Sequence, residues 1–239
     1  LLGLYQLTVG EKHAARSIAL SAAMLVLSHS LSAMLFALMA AIYVVLNLRK
    51  VINWENIWRM ALGVLTALGL TAFFTLPLLE AKMTDSYGVF DAGYADIYFG
   101  ANARSMNDHR IWPQQLVAMD YTGKVNTEGL GGEFGVTLGM VALVGLIGFW
   151  FVRGRIEDEN QRCFVTSLYI IAVLAILLAL PIVNWYYMPG IMWQMQFPWR
   201  SLMITAICLA VVAGYTVYGL VRGLSDEKQR VSMVVASVL

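Results

Sequence analysis

The chain has 239 residues, 59% of them hydrophobic and 13% charged, with a formal net charge of +1 and a mean hydropathy of +0.69. Soluble domains carry about 25% charged residues, and several stretches here lack a polar face for about 18 residues or more, so a water-soluble globule is excluded. A nucleic-acid partner is excluded as well, because Lys and Arg are scattered at the ends of apolar runs and form no basic stripe.

The first run, Leu1 to Val9, has no initiating Met and no basic n-region, so it reads as the tail of an earlier span rather than a signal peptide. The last run, Val231 to Leu239, reads as an unfinished one, and the chain is expected to be a fragment open at both ends. Gly10 to His13 makes a polar turn. The apolar stretch Ser17 to Leu48 is too long for one helix across a hydrocarbon core of about 30 Å and is interrupted by Ser28-His29-Ser30. Basic residues flank it on both sides, Lys12 and Arg16 before, Arg49, Lys50 and Arg59 after. Both groups can be cytoplasmic only if the chain turns back near His29, which predicts a hairpin.

A span from about Met60 to Leu79 leads outward and is expected to end at Pro77 and Glu80. Residues 82–133 are the longest polar stretch and are predicted to form an extracytoplasmic loop. A span from about Phe134 to Val152 returns to Arg153, Arg155 and Arg162, Phe164 to Val183 leads out, and Ser201 to Val221 returns to Arg222, Lys228 and Arg230. Between the last two lies an aromatic loop, Asn184 to Trp199, broken by Pro189 and Pro198. Trp54, Trp58 and Trp150 are placed at the inner boundary, and Trp185, Tyr186, Tyr187, Trp193 and Trp199 at the outer one, as in aromatic belts. The fold class is therefore all-α, a polytopic transmembrane bundle of about six to eight spans filling residues 1–239.

Candidate chemistry is sparse. Cys163 and Cys208 show neither metal spacing nor a disulfide framework. Gly135 and Gly139 form a GxxxG pair that lets another helix approach closely. Asp85, Asp91, Asp96, His109, Asp120, Glu128 and Glu133 supply the loop with oxygen ligands for a divalent metal and with bases, though no spacing among them is diagnostic. His29 interrupts an apolar stretch, where it is either a hairpin tip meeting interfacial water or a cavity-facing group. Glu80, with Lys82 near enough to neutralise it, is either an interfacial ion pair or a functional carboxylate. Arg200 alone breaks the charge rule; its guanidinium suits a phosphate, whether of a headgroup or of a lipid substrate.

Four strings carry a resemblance: Ser28-His29-Ser30-Leu31-Ser32-Ala33, Phe73-Phe74-Thr75-Leu76-Pro77-Leu78-Leu79-Glu80, His109 with Pro113-Gln114-Gln115-Leu116, and Gln196-Phe197-Pro198-Trp199-Arg200. With them the chain, from about Leu2 to Arg222, resembles the bacterial membrane protein family named for a 6-pyruvoyl-tetrahydropterin-synthase-related domain. That family is grouped with the GT-C membrane glycosyltransferases, which take sugars from polyprenyl-phosphate carriers. The resemblance implies a GT-C-like fold and transfer of a sugar from a polyprenyl-phosphate-linked donor to an acceptor on the outer face. Arg200, His29, Glu80, His109 and Gln196 are then the substrate-binding candidates, with His29 and His109 facing the cavity that Arg200 lines. The catalytic acid of such enzymes usually lies in a first external loop near the N-terminus, so it is expected to lie outside this chain. Two other classes stand beside this one, a transporter or flippase of a polar or lipid-linked substrate, and a non-catalytic membrane assembly protein. Transporters often show duplicated halves, and no duplication is visible here.

Overall fold

The computed structural model describes residues 1–84, 102–117, 125–127, 130–132 and 136–222, and of Ser30, Lys82 and the strand residues the backbone alone. In chain order the helices are α1 (Leu2–Thr8), α2 (Ala14–Ser28), α3 (Ser30–Leu46), α4 (Leu48–Val51), α5 (Trp54–Thr84), α6 (Ala103–Asp108), α7 (Gly139–Val152), α8 (Glu159–Ala179), α9 (Gly190–Trp193) and α10 (Leu202–Val221). The remaining regular structure is a set of short 3-10 turns and one antiparallel hairpin, β1 (Val125–Thr127) with β2 (Leu130–Gly132), in the register Val125 to Gly132.

Among the described residues three stretches are long and apolar enough to cross a membrane: Trp54–Ala81, Glu159–Ala179 and Pro198–Val221. They mark a membrane protein. The expected count of six to eight is higher, and among the described residues the other expected spans are shorter helices. Extended backbone at His29 divides the Ser17 to Leu48 stretch between α2, 15 residues, and α3, 17 residues, which at 1.5 Å per residue reach about 22 and 26 Å. The span expected from Phe134 begins as a helix only at Gly139, so α7 has 14 residues and reaches about 21 Å. Conversely, α5 does not stop at Pro77 but runs through it to Thr84. Proline costs a helix one N–H bond, and spanning helices tolerate that loss where neighbouring groups satisfy the freed carbonyl.

The chain divides into two compact units, Leu1–Arg110 with Pro181–Pro198, and Ile111–Leu180 with Trp199–Leu239. In the first, α2 and α3 fold back on each other at His29. Leu7, Ala14 and Val51 share one apolar cluster with Val44 and Met60, so the start of α2 and the end of α3 lie at the same end. The Thr8 and Tyr43 hydroxyls are 3.2 Å apart there. This is the hairpin expected from the polar interruption. α5 packs along α2, with Gly63 against the Ala15 carbonyl and Ile18. Asn56 ties α5 to α1 by donating to the Leu7 carbonyl at 2.9 Å.

In the second unit α10 packs against both α7 and α8. A Cβ added at Gly145 would come within 2.7 Å of the Leu209 carbonyl, one at Gly148 within 2.6 Å of Thr216, and one at Gly219 within 2.8 Å of Val152. These pairs advance together along both helices, so α7 and α10 run parallel and touch through small residues, the usual contact where lipid removes a hydrophobic drive. The expected close approach at Gly135 and Gly139 is not found. Gly135 lies outside the described residues, and Gly139, at φ +76°, has nothing within 4 Å of its Cβ position. Its role is a left-handed turn ahead of α7. α8 runs antiparallel to α10, joined by Ser201 Oγ donating to the Ala175 carbonyl at 2.7 Å and Thr205 Oγ1 to Ala172 at 3.3 Å.

Candidate functional site

The best-organised polar region of the first unit is built on the short helix α6. Asn102 caps it, its Oδ1 accepting from the Ser105 N–H at 2.8 Å. Six residues are too few for a helix to stand alone, and α6 is held by packing against the 3-10 turn Trp185–Tyr187 and against α9. Asn107 is the bolt. Its Oδ1 accepts from the Trp185 N–H at 3.1 Å, while its Nδ2 donates to the Ala103 carbonyl at 3.0 Å. Arg110 reaches the same segment, donating to the Asn107, Pro181 and Val183 carbonyls. Beneath them Met106 and Trp185 are fully buried.

His109 follows α6 directly and is 8% exposed. Its Nδ1 lies 2.6 Å from the Ser105 carbonyl, a group that can only accept, so Nδ1 carries the proton. In the neutral ring the lone pair is then on Nε2. The ring meets Phe197 edge-on at 4.8 Å between centroids. Phe197 is delivered by Gln196, whose φ of 65° makes it the non-glycine residue with left-handed backbone among the described ones. Such strain is worth about 1–2 kcal/mol and persists where surrounding structure imposes it. His109 and the Gln196 corner are thus brought together, two candidates the sequence names separately.

The other candidates have their own surroundings. His29 is exposed and caps α3: its Nδ1 accepts from the Ser32 N–H at 3.1 Å, which fixes the opposite tautomer from His109. Glu80 is exposed in the penultimate turn of α5, not at a helix end, and the Lys82 side chain, its expected partner, lies outside the described side chains. Arg200 belongs to the second unit. It sits half-buried in the turn Pro198–Ser201 that leads into α10, with its Cζ 5.9 Å from the Trp199 ring. Trp185, placed in the outer belt by its sequence, is instead wholly buried with no partner for Nε1, because α6 covers it. Asp85, Asp91, Asp96, Asp120, Glu128 and Glu133 lie outside the described residues. Among the described ones no three His, Cys, Asp or Glu side chains gather to hold a metal.

Sequence reasoning missed Asn107, Arg110 and Ser105. The signal for α6 was present in Asn102 three residues before Ser105, an N-cap spacing, whereas nothing local marks the pairing of Asn107 with a backbone amide nearly eighty residues on. No family model, characterised protein or solved structure matches the chain. The family resemblance stands on the four motif strings alone.

Proposed function

We propose that the chain is a GT-C-like, multi-pass bacterial inner-membrane glycosyltransferase, moving a sugar from a polyprenyl-phosphate carrier to an acceptor on the outer face, within a bundle of six to eight spans. The observation that carries the reading is His109: a buried histidine with Nδ1–H fixed on a carbonyl, which leaves Nε2 as the nitrogen available to a substrate, beside a strained Gln196-Phe197 corner. A histidine held in that tautomer suits the acceptor side of a transfer, where it orients or deprotonates a hydroxyl. Arg200, at the head of a candidate span, offers a planar fork to the carrier phosphate and stabilises it as it departs. His29 and Glu80 serve as wall residues, and the catalytic acid is assigned to no residue here. Loop acids would hold a divalent metal if the reaction uses one.

The test is transfer from a polyprenyl-phosphate sugar by the full-length protein in proteoliposomes. Arg200→Lys keeps the charge and loses the fork, so turnover should fall about tenfold or more, since a charge-assisted pair contributes about 1.5–3 kcal/mol. Arg200→Ala should fall further, and wild-type turnover by that variant rules out the clamp. His109→Gln should lower kcat more than it raises KM. Flux of the carrier across the bilayer without transfer would favour a flippase instead.

A further inference from the structure

We infer that the end of the second unit where α7, α8 and α10 meet is a binding site for an anionic lipid headgroup, with Arg153 and Arg155 as its two phosphate forks. The 3-10 turn Arg153–Arg155 closes α7 and is tied to both neighbours. Arg153 Nε donates to Thr166 Oγ1 on α8 at 3.2 Å, and Arg155 Nη1 donates to the Gly219 carbonyl in the last turn of α10 at 3.1 Å. Both partners are neutral. The C-terminal end of α10 carries about half a negative charge, which steadies Arg155 without cancelling it.

Among the described residues the nearby acids have other places. Glu157 pairs with Arg222 at 2.8 Å, Asp158 caps α8 by accepting from the Asn160 and Gln161 N–H groups, and Glu159 lies in the first turn of α8, where the positive helix end suits it. Among the described residues neither Arg153 nor Arg155 has an ion-pair partner. A guanidinium has five N–H donors, and each of these two commits one, so most of both forks remains for an anion.

The platform is rigid. Arg153 lies over the Trp150 indole, Cζ to centroid 5.5 Å. That indole is fixed in turn, Nε1 donating to Tyr169 Oη at 2.9 Å and Tyr169 Oη to the Leu146 carbonyl at 3.1 Å. Little side-chain entropy then remains to be lost on binding. Apolar surface adjoins the charges: Ile147 and Phe151 on α7 are 64% and 75% exposed. A free phosphate has no use for that surface, whereas acyl chains do, so the ligand is a lipid.

The test uses the whole protein in detergent, with phosphatidylglycerol or phosphatidylcholine added in mixed micelles, read by native mass spectrometry and thermal midpoint. Phosphatidylglycerol should bind saturably and raise the midpoint, while phosphatidylcholine and inorganic phosphate should not. Arg153→Gln and Arg155→Gln should each weaken phosphatidylglycerol binding about tenfold, the loss of one charge-assisted fork, while Arg49→Gln should leave it unchanged. Should a glutamine variant fail to fold, Arg155→Lys retains the charge and must still bind several-fold more weakly. Equal lipid preference in all variants, or an equal response to inorganic phosphate, overturns the inference.

Discussion

Two histidines of this chain show how one ring takes opposite jobs from opposite neighbours. His29 accepts a hydrogen bond from a backbone N–H at Nδ1, and His109 donates one to a backbone carbonyl from the same atom. The first is a cap, and removing it should cost about 1 kcal/mol: His29→Ala should lower the thermal midpoint in detergent, and His29→Asn, a better capping residue, should hold it. Equal losses in both would mean His29 acts through something other than its cap. Gln196 makes a second residue-scale test. Glycine at φ +65° escapes a penalty of about 1–2 kcal/mol and loses part of the gain to unfolded-chain entropy. Gln196→Gly should therefore keep or raise the midpoint, whereas Gln196→Val, β-branched and disfavoured there, should lower it. If the strain serves to seat Phe197 against His109, the glycine variant should also lose transfer activity while remaining folded.

Helix contacts depend on where glycines lie more than on how many there are. Gly145→Ala drives a methyl toward the Leu209 carbonyl at 2.7 Å, a backbone atom that cannot swing aside, so α7 and α10 must separate. Overpacking of that kind costs about 1–3 kcal/mol. Gly69→Ala in α5 and Gly214→Ala in α10 meet nothing within 4 Å and should be neutral or stabilising by about 0.5–1 kcal/mol. Equal midpoints for Gly145→Ala and Gly69→Ala would refute the close approach of α7 and α10. The same contrast shows what was legible in the sequence. The break at His29 could be read because three polar residues interrupt an apolar run, a local signal. GxxxG pointed to Gly135 and Gly139, but the working contact spaces Gly145 and Gly148 three apart against Thr216 and Ala213 on a helix some seventy residues later. That choice is made by the partner, and no pattern within α7 reveals it. His109 was nameable as a rare titratable group in the loop, yet its environment depends on Asn107, Phe197 and Trp185, which only folding brings to it.

At the scale of the whole molecule, helix direction and charge placement within each unit predict a topology. In the second unit α7 and α10 are parallel and α8 runs against them, so Val152 and Val221 end on one side of that unit, where Arg153, Arg155 and Arg222 cluster. In the first unit α2 and α3 reverse at His29, which returns the chain to the side of Arg16 before Arg49 and Arg59. Positive residues of short loops stay cytoplasmic, so both clusters should be inside and α6 outside. Single cysteines in a background lacking Cys163 and Cys208 decide it. Arg104 is the outer probe, its side chain 84% exposed on α6, and Gly154 the inner one, with open space around its Cβ position. A membrane-impermeant maleimide applied to intact cells should label Arg104→Cys and leave Gly154→Cys untouched until the membrane is opened. Labelling of Gly154→Cys from outside, with Arg104→Cys protected, would invert the chain, put His109 on the cytoplasmic face, and with it end the proposal of transfer at the outer surface.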